Sequence, residues 1–340
     1  MKKLTKIIGI AFLAVSILSC SDDNESQPTI VDIASGDAQF STLVRALERT
    51  NLVTTLDGSG QFTVFAPTNA AFTTFFASIS TPTNVVTVEN VPVATLKAIL
   101  LNHVIGTEIK SGALPAATYA STLSPFNTSL NAPTISMFVQ KSGSVVTING
   151  GVDSKGAVVT TADLDASNGV IHVVNRVIQI PTLVDHVVDN PEFDTLQAVV
   201  TSESGGDFGD QSAVLNFLVD LTAGAPATLF APNNAAFTSL EAELSAASLF
   251  PNSEQISSVL TYHVVDENNR SSDLPGIVSG NGIVPTFNLQ SITFSLVGGT
   301  YKIIGTFTPT RPASTIIQSL DIQGSNGVIH TIDKVLLPTL

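Results

Sequence analysis

The sequence predicts an α+β fold built twice along one chain. Three observations carry that prediction. First, Ser167–His172 and Ser325–His330 both read Ser-Asn-Gly-Val-Ile-His. Second, other matches recur in the same order. "PTIVDIASGDAQFSTL" from Pro28 pairs with "PTLVDHVVDNPEFDTL" from Pro181, and "TVFAPTNAAF" from Thr63 pairs with "TLFAPNNAAF" from Thr228. "LLNHV" around His103 pairs with "LTYHV" around His263. Ordered self-similarity at long period marks a duplicated domain. Third, each copy places helical periodicity first and β-rich runs after it.

The N-terminus reads as a targeting segment. Lys2, Lys3 and Lys6 precede the apolar run Ile7–Leu18. A membrane span needs about 20 apolar residues, so this shorter run fits a signal peptide. It ends in "ILSC", which resembles a bacterial lipobox and places a lipid on Cys20 after cleavage behind Ser19. Residues 1–19 are then the signal peptide, and residues 20–27 form a flexible acidic tether. The tether resembles the acidic segment behind the lipidated cysteine of surface lipoproteins from Bacteroidota-like bacteria. Cys20 is the single cysteine of the chain, so the mature body can have neither a disulfide nor a thiol nucleophile.

The repeat divides the rest into domain 1, residues 28–181, and domain 2, residues 182–340. Almost no linker separates them, so the domains are expected to sit close together. Domain 2 carries an insertion, "TSESGGDFGDQ" from Thr201. Phe40, Leu43, Val44 and Leu47 lie at helical spacing, as do Phe193, Leu196, Gln197 and Val200. Asp37 and Asn190 are placed to cap these helices, with Pro191 at a first helical position. "FTVFAP" and "ATLFAP" read as short strands stopped by proline. Thr68 and Asn233 then cap helices carrying Phe72 and Phe237. After His103 and His263 the helical signals fade. Runs such as "TISMFVQ", "SVVTING", "AVVTTADL", "SITFSLVG" and "YKIIGTF" predict an antiparallel sheet. "SNGVIH" reads as a turn followed by a closing strand.

These motifs resemble those of the fasciclin, or FAS1, domain family. "TVFAPTNAAF" resembles its first signature, "YHV" from Tyr262 its central Tyr-His motif, and "SNGVIHTIDKVLLP" its last. The resemblance implies two tandem FAS1-like domains, each a β-wedge or sandwich with helices packed on one side. It further implies cell adhesion or extracellular binding without a shared catalytic activity. Adhesive roles in the family fall near the Tyr-His pair, which makes Tyr262 and His263 the candidate partner-binding residues. Domain 1 has Asn102 in the place of Tyr262, so domain 2 is expected to supply the main contact.

Composition narrows the chemistry. The net charge is −14, with only 14 Lys and Arg residues, so nucleic acid is a poor partner. Charged residues make up 12%, about half the usual share. His103, His172, His263 and His330 fall at equivalent repeat positions. Two histidines per domain are too few for a metal, and no HExxH spacing occurs. Nearby Asp163 and Asp165 are answered by Asp321 and Gln323, which reads as a carboxylate set that does not repeat. His103, His172 and His330 are therefore read as structural, each bonding a backbone group to pin a strand. No metal, cofactor or catalytic residue is assigned, and a dyad of Ser or Thr with a repeated His stays open. The reading is a lipid-anchored adhesion or binding protein at the outer membrane or cell surface, with a protein, matrix or glycan partner. The alternative is a glycan-binding or accessory lipoprotein of an outer-membrane uptake system. Glycan sites favour exposed aromatic platforms, and this chain has no Trp and three tyrosines, Tyr119, Tyr262 and Tyr301.

Overall fold

The computed structural model describes residues 27–339, apart from 205, 207, 222–224, 249–250, 307–313 and 316–320. Cys20, the signal peptide and all of the tether except Gln27 lie outside the described residues. Among the described residues no helix is long and apolar enough to cross a membrane.

Each domain opens with a short helix that the periodicity does not reveal. Ile30–Gly36 starts at Thr29, whose hydroxyl accepts from the Asp32 backbone N–H while Asp32 bonds back to the Thr29 N–H. Leu183–Asp189 starts the same way, with Thr182 and Asp185. This reciprocal cap satisfies two donors that a helix start leaves open. Only Ile30 and Ala34 of the first helix are buried, too few for a legible stripe. Asp37 and Asn190 cap as expected but act one step earlier, on 3₁₀ turns. Asp37 accepts from Gln39 N at 3.0 Å and Asn190 from Glu192 N at 3.0 Å. The turns Ala38–Phe40 and Pro191–Phe193 run directly into the helices Ser41–Arg49 and Asp194–Val200.

The strand Phe62–Pro67 ends at its proline, and Thr68 then accepts from Ala71 N at 3.3 Å to start the helix Asn69–Ile79. In domain 2, Ala227–Pro232 is followed by Asn233, which accepts from Ala236 N at 2.9 Å and starts Asn234–Ala247. A second pair of helices, Val93–Asn102 and Ser253–Tyr262, completes the layer.

The sheets depart from simple antiparallel order at one place in each domain. Phe62–Pro67 runs parallel to the closing strand Gly169–Val174, from Phe62 opposite Gly169 to Pro67 opposite Val174. This parallel pair closes a seven-stranded barrel in domain 1. Domain 2 repeats it between Ala227–Pro232 and Gly327–Ile332. Val264–Asp266 and Ile322–Gly324 flank that pair in one four-stranded sheet, and Ile283–Pro285, Ser291–Val297, Thr300–Ile304 and Ser314–Thr315 form a separate antiparallel sheet. A helix, Leu274–Gly280, precedes them where the sequence reading places only strands.

The repeated phrase finds its explanation here. Gly169 and Gly327 hold φ of 143° and 155°, while neither Asn168 nor Asn326 takes a positive φ. A Cβ on Gly169 would lie 2.0 Å from the Phe62 carbonyl oxygen, and one on Gly327 2.0 Å from that of Ala227. Only glycine lets the two parallel strands start in register this closely. The asparagines do more than turn the chain. Asn168 Oδ1 accepts from Ile30 N at 2.9 Å and its Nδ2 donates to Leu56 O at 2.7 Å. Asn326 accepts from Leu183 N at 2.8 Å and donates to Leu218 O at 3.0 Å. Each ties the first helix of its domain to the closing turn.

The domains touch, as the missing linker requires. Gln323 N donates to Ser136 Oγ at 2.9 Å, joining the edge of domain 2 to the strand Thr134–Ser142. The Tyr119 ring stands edge-on to His186 with centroids 5.4 Å apart, and Asn190 Nδ2 donates to its hydroxyl at 3.3 Å. Lys155 pairs with Asp185 at 2.9 Å across the same seam.

Candidate functional site

The four repeated histidines form two kinds of clamp. His103 follows the helix Val93–Asn102; its Nδ1 donates to Ile99 O at 2.7 Å, and its Nε2 accepts from Ile178 N at 2.9 Å. His263 does the same with Val259 O at 2.7 Å and Leu336 N at 2.8 Å. His172 and His330 use the opposite tautomer. Their Nε2 donates to Ile109 O at 2.9 Å and Asn269 O at 2.8 Å, while Nδ1 accepts from Asp163 N and Asp321 N. All four rings are buried. Burial pushes the His103 imidazole down to about 4 and lowers His330 as well. A neutral ring is what this wiring needs, because one nitrogen must accept from a backbone N–H. Replacing His172 or His330 by Ala strands a backbone donor and a backbone acceptor in the interior. The expected cost is about 2–4 kcal/mol, read as a lower denaturant midpoint for the domain concerned. An unchanged melting profile would show that the rings hold nothing together.

One carboxylate does repeat, contrary to the sequence reading. Asp163 and Asp321 both adopt positive φ, 60° and 58°. Asp163 accepts from Ser111 N at 2.7 Å and from the Ser111 hydroxyl. Asp321 accepts from Ser271 N at 2.8 Å and from the Ser271 hydroxyl. Ser, Asp and His thus meet in both domains, but the hydroxyl donates to the carboxylate, and both imidazole nitrogens are taken by backbone groups. Neither serine donates to an imidazole that could act as its base. The sets latch the loops at Ser111 and Ser271 to the closing hairpin. Among the described residues no three His, Cys, Asp or Glu side chains gather to hold a metal ion.

Tyr262 and His263 do not form a contact surface. The Tyr262 side chain is 0% exposed; its hydroxyl donates to Ser291 O at 2.8 Å and accepts from Thr306 N at 3.0 Å. The last turn of its helix faces the second sheet of domain 2, so ring and hydroxyl both serve the core. The assignment of direct partner contact to Tyr262 and His263 is therefore corrected. Asn102, its counterpart, is also buried and donates to Gln179 O at 3.2 Å. Of the other tyrosines, Tyr119 lies at the domain seam and Tyr301 packs partly buried against the same core.

Exposed apolar residues do occur on the outward face of that second sheet. Ile292, Phe294 and Ile303 point inward and are buried. Ile283, Thr293 and Ile304 pair side by side across three strands and point outward. Ile283 is 54% exposed and Ile304 40%; Val297, 60% exposed, lies farther along the same face beyond Ser295 and Lys302, while Leu296 alternates onto the face of Phe294. A monomer that hides only one sheet face normally makes the other polar.

The Fasciclin domain model matches this chain twice, over residues 38–181 and 208–338. The chain belongs to the fasciclin domain family. Among its relatives, Protein sll1483 of Synechocystis sp. is 38% identical over 157 residues, covering 46% of this chain and 76% of its own. The transforming growth factor-beta-induced protein ig-h3 of Sus scrofa is 26% identical over 291 residues, 83% of this chain and 35% of its own. The chain thus spans about a third of that larger relative. A solved FAS1 domain pair from the insect cell adhesion molecule fasciclin I aligns with 22% identity and a TM-score of 0.48, over 86% of this chain and 92% of that one. Both copies here are fasciclin domains, and their histidine clamps and glycine starts are framework features that each copy needs once.

Proposed function

We propose that this chain is a non-enzymatic adhesion or binding protein, held at the outer membrane or cell surface by a lipid on Cys20. The outward face of the second sheet in domain 2 is its contact surface, and the partner is a protein or matrix component. The observation that carries this reading is the outward pair Ile283 and Ile304, exposed on either side of Thr293 on a fasciclin domain. Burying such a patch contributes about 25 cal/mol per Å² before the costs of association. A glycan partner has less support, since Tyr119 and Tyr262 are engaged elsewhere.

The test uses cells displaying the full chain. Ile283→Lys together with Ile304→Lys is expected to lower adhesion to matrix-coated surfaces by about tenfold or more, at an unchanged melting temperature. Cys20→Ser is expected to release the protein from the membrane fraction. Adhesion that is indifferent to the lysines removes this face as the contact. Retention of the serine variant in the membrane removes the anchor.

A further inference from the structure

The helical layers of the two domains follow one plan and are filled differently. In domain 1 the helix Asn69–Ile79 buries Phe72, Phe75 and Phe76. The shared phrase aligns Phe72 with Phe237, so Phe75 and Phe76 correspond to Leu240 and Glu241. Two aromatic rings are thereby replaced by a smaller aliphatic chain and a carboxylate. In domain 2 only Ala236 of the equivalent helix is buried. The connection to the next helix also differs. Residues 80–92 of domain 1 bring Val86, Val88 and Val91 onto the core. In domain 2 the corresponding helices end at Ala247 and start at Ser253, which leaves a much shorter link.

The outcome is a cavity of about 400 Å³ in domain 2, where the helical core of domain 1 encloses about 20 Å³. Its wall includes Val187, Leu196, Val200, Phe237, Leu244 and Ile256. Dry apolar cavities of about 150 Å³ already bind benzene. Small-molecule pockets span about 300–1,000 Å³ and are mostly apolar with few polar groups. A void this large forfeits dispersion contacts along its whole lining, which an occupant restores. The exposed residues Val188, Thr201, Glu241 and Pro251 belong to the lining and mark its mouth.

Charge selects the occupant. Among the described residues no Lys or Arg lines the cavity, and Glu241 is the one acidic side chain there. The His263 ring reaches the wall but commits both nitrogens to backbone groups. A carboxylate or phosphate head would meet no cation and would face Glu241. Thr195, Gln197 and Gln255 offer neutral donors and acceptors instead. We propose that domain 2 is a binding site for an uncharged amphiphile with a single aliphatic chain, held in this cavity with its polar end near Glu241.

The full chain would be titrated with N-phenyl-1-naphthylamine, an uncharged probe that fluoresces in apolar surroundings. Saturable binding is expected, with 1-dodecanol displacing the probe at about tenfold or more lower concentration than dodecanoate at pH 8. Restoring the domain 1 residues, with Leu240→Phe and Glu241→Phe, should fill the cavity and abolish the signal while both domains still melt cooperatively. Glu241→Lys, at an exposed position, tests the charge argument without touching the core. It should lower the dodecanoate-to-dodecanol ratio by about tenfold. Lack of saturable binding, equal probe binding by the filled variant, or a ratio unmoved by Glu241→Lys each overturns the proposal.

Discussion

Gly327→Ala is expected to unfold domain 2. The residue starts the closing strand opposite Ala227, and an added Cβ would lie 2.0 Å from that carbonyl oxygen and 2.9 Å from Leu183 Cδ1. The first neighbour is backbone in a paired strand and has no rotamer to change. The φ of 155° adds strain that any side chain would feel. Separating the strands would break the register of the parallel pair and displace Asn326, which holds the first helix. We expect a loss of about 4 kcal/mol or more, against a typical total of about 5–15 kcal/mol. Gly169→Ala should do the same to domain 1, where Phe62 O stands 2.0 Å from the added atom. Calorimetry of the full chain checks both variants, because each should lower the transition of its own domain most. A shift below about 1 kcal/mol in either domain would mean that the strands tolerate a side chain there.

Mild acid is expected to destabilise the protein strongly. Burial pushes His103 and His186 down to about 4 from an ordinary 6.5, and burial lowers His330 too. The unfolded chain therefore takes up protons between pH 6.5 and 4 that these rings refuse when folded. Their contribution is complete above pH 6.5 and is lost as pH falls toward 4. At 1.36 kcal/mol per pH unit, His103 and His186 each account for about 3 kcal/mol across that window. Asp189 works in the opposite sense. Burial raises its carboxyl to about 6, so its contribution is present at low pH and lost as pH rises through 6. One buried carboxyl does not offset two buried imidazoles and a third with the same sign. Urea midpoints at pH 7 and pH 4.5 should differ by a few kcal/mol in favour of pH 7. Equal midpoints would mean that water or a structural opening reaches these rings.

Some residues are legible in the sequence and others are not. Thr68 and Asn233 cap helices as read, because a cap depends on three or four neighbouring residues. Pro67 and Pro232 end their strands for the same local reason. Tyr262 was misassigned because its burial depends on Ser291 and Thr306, which lie far along the chain. Asp163 and Asp321 were read as part of an unmatched set, because their partners, Ser111 and Ser271, lie outside any local motif.

The sequence by itself determined the duplication, the domain order, the principal helices and strands, and the framework role of His103, His172 and His330. Periodicity, capping and proline stops act over one or two turns, so they survive without tertiary context. Only the tertiary structure decided that the first and closing strands pair in parallel, that the repeated asparagine ties helix to turn, and that domain 2 leaves a cavity where domain 1 packs phenylalanines. Each of these depends on atoms brought together across long separations, 138 residues in the bond between Ile30 and Asn168. Local residue patterns fix which face of an element is apolar, but the packing of distant elements fixes what that face meets.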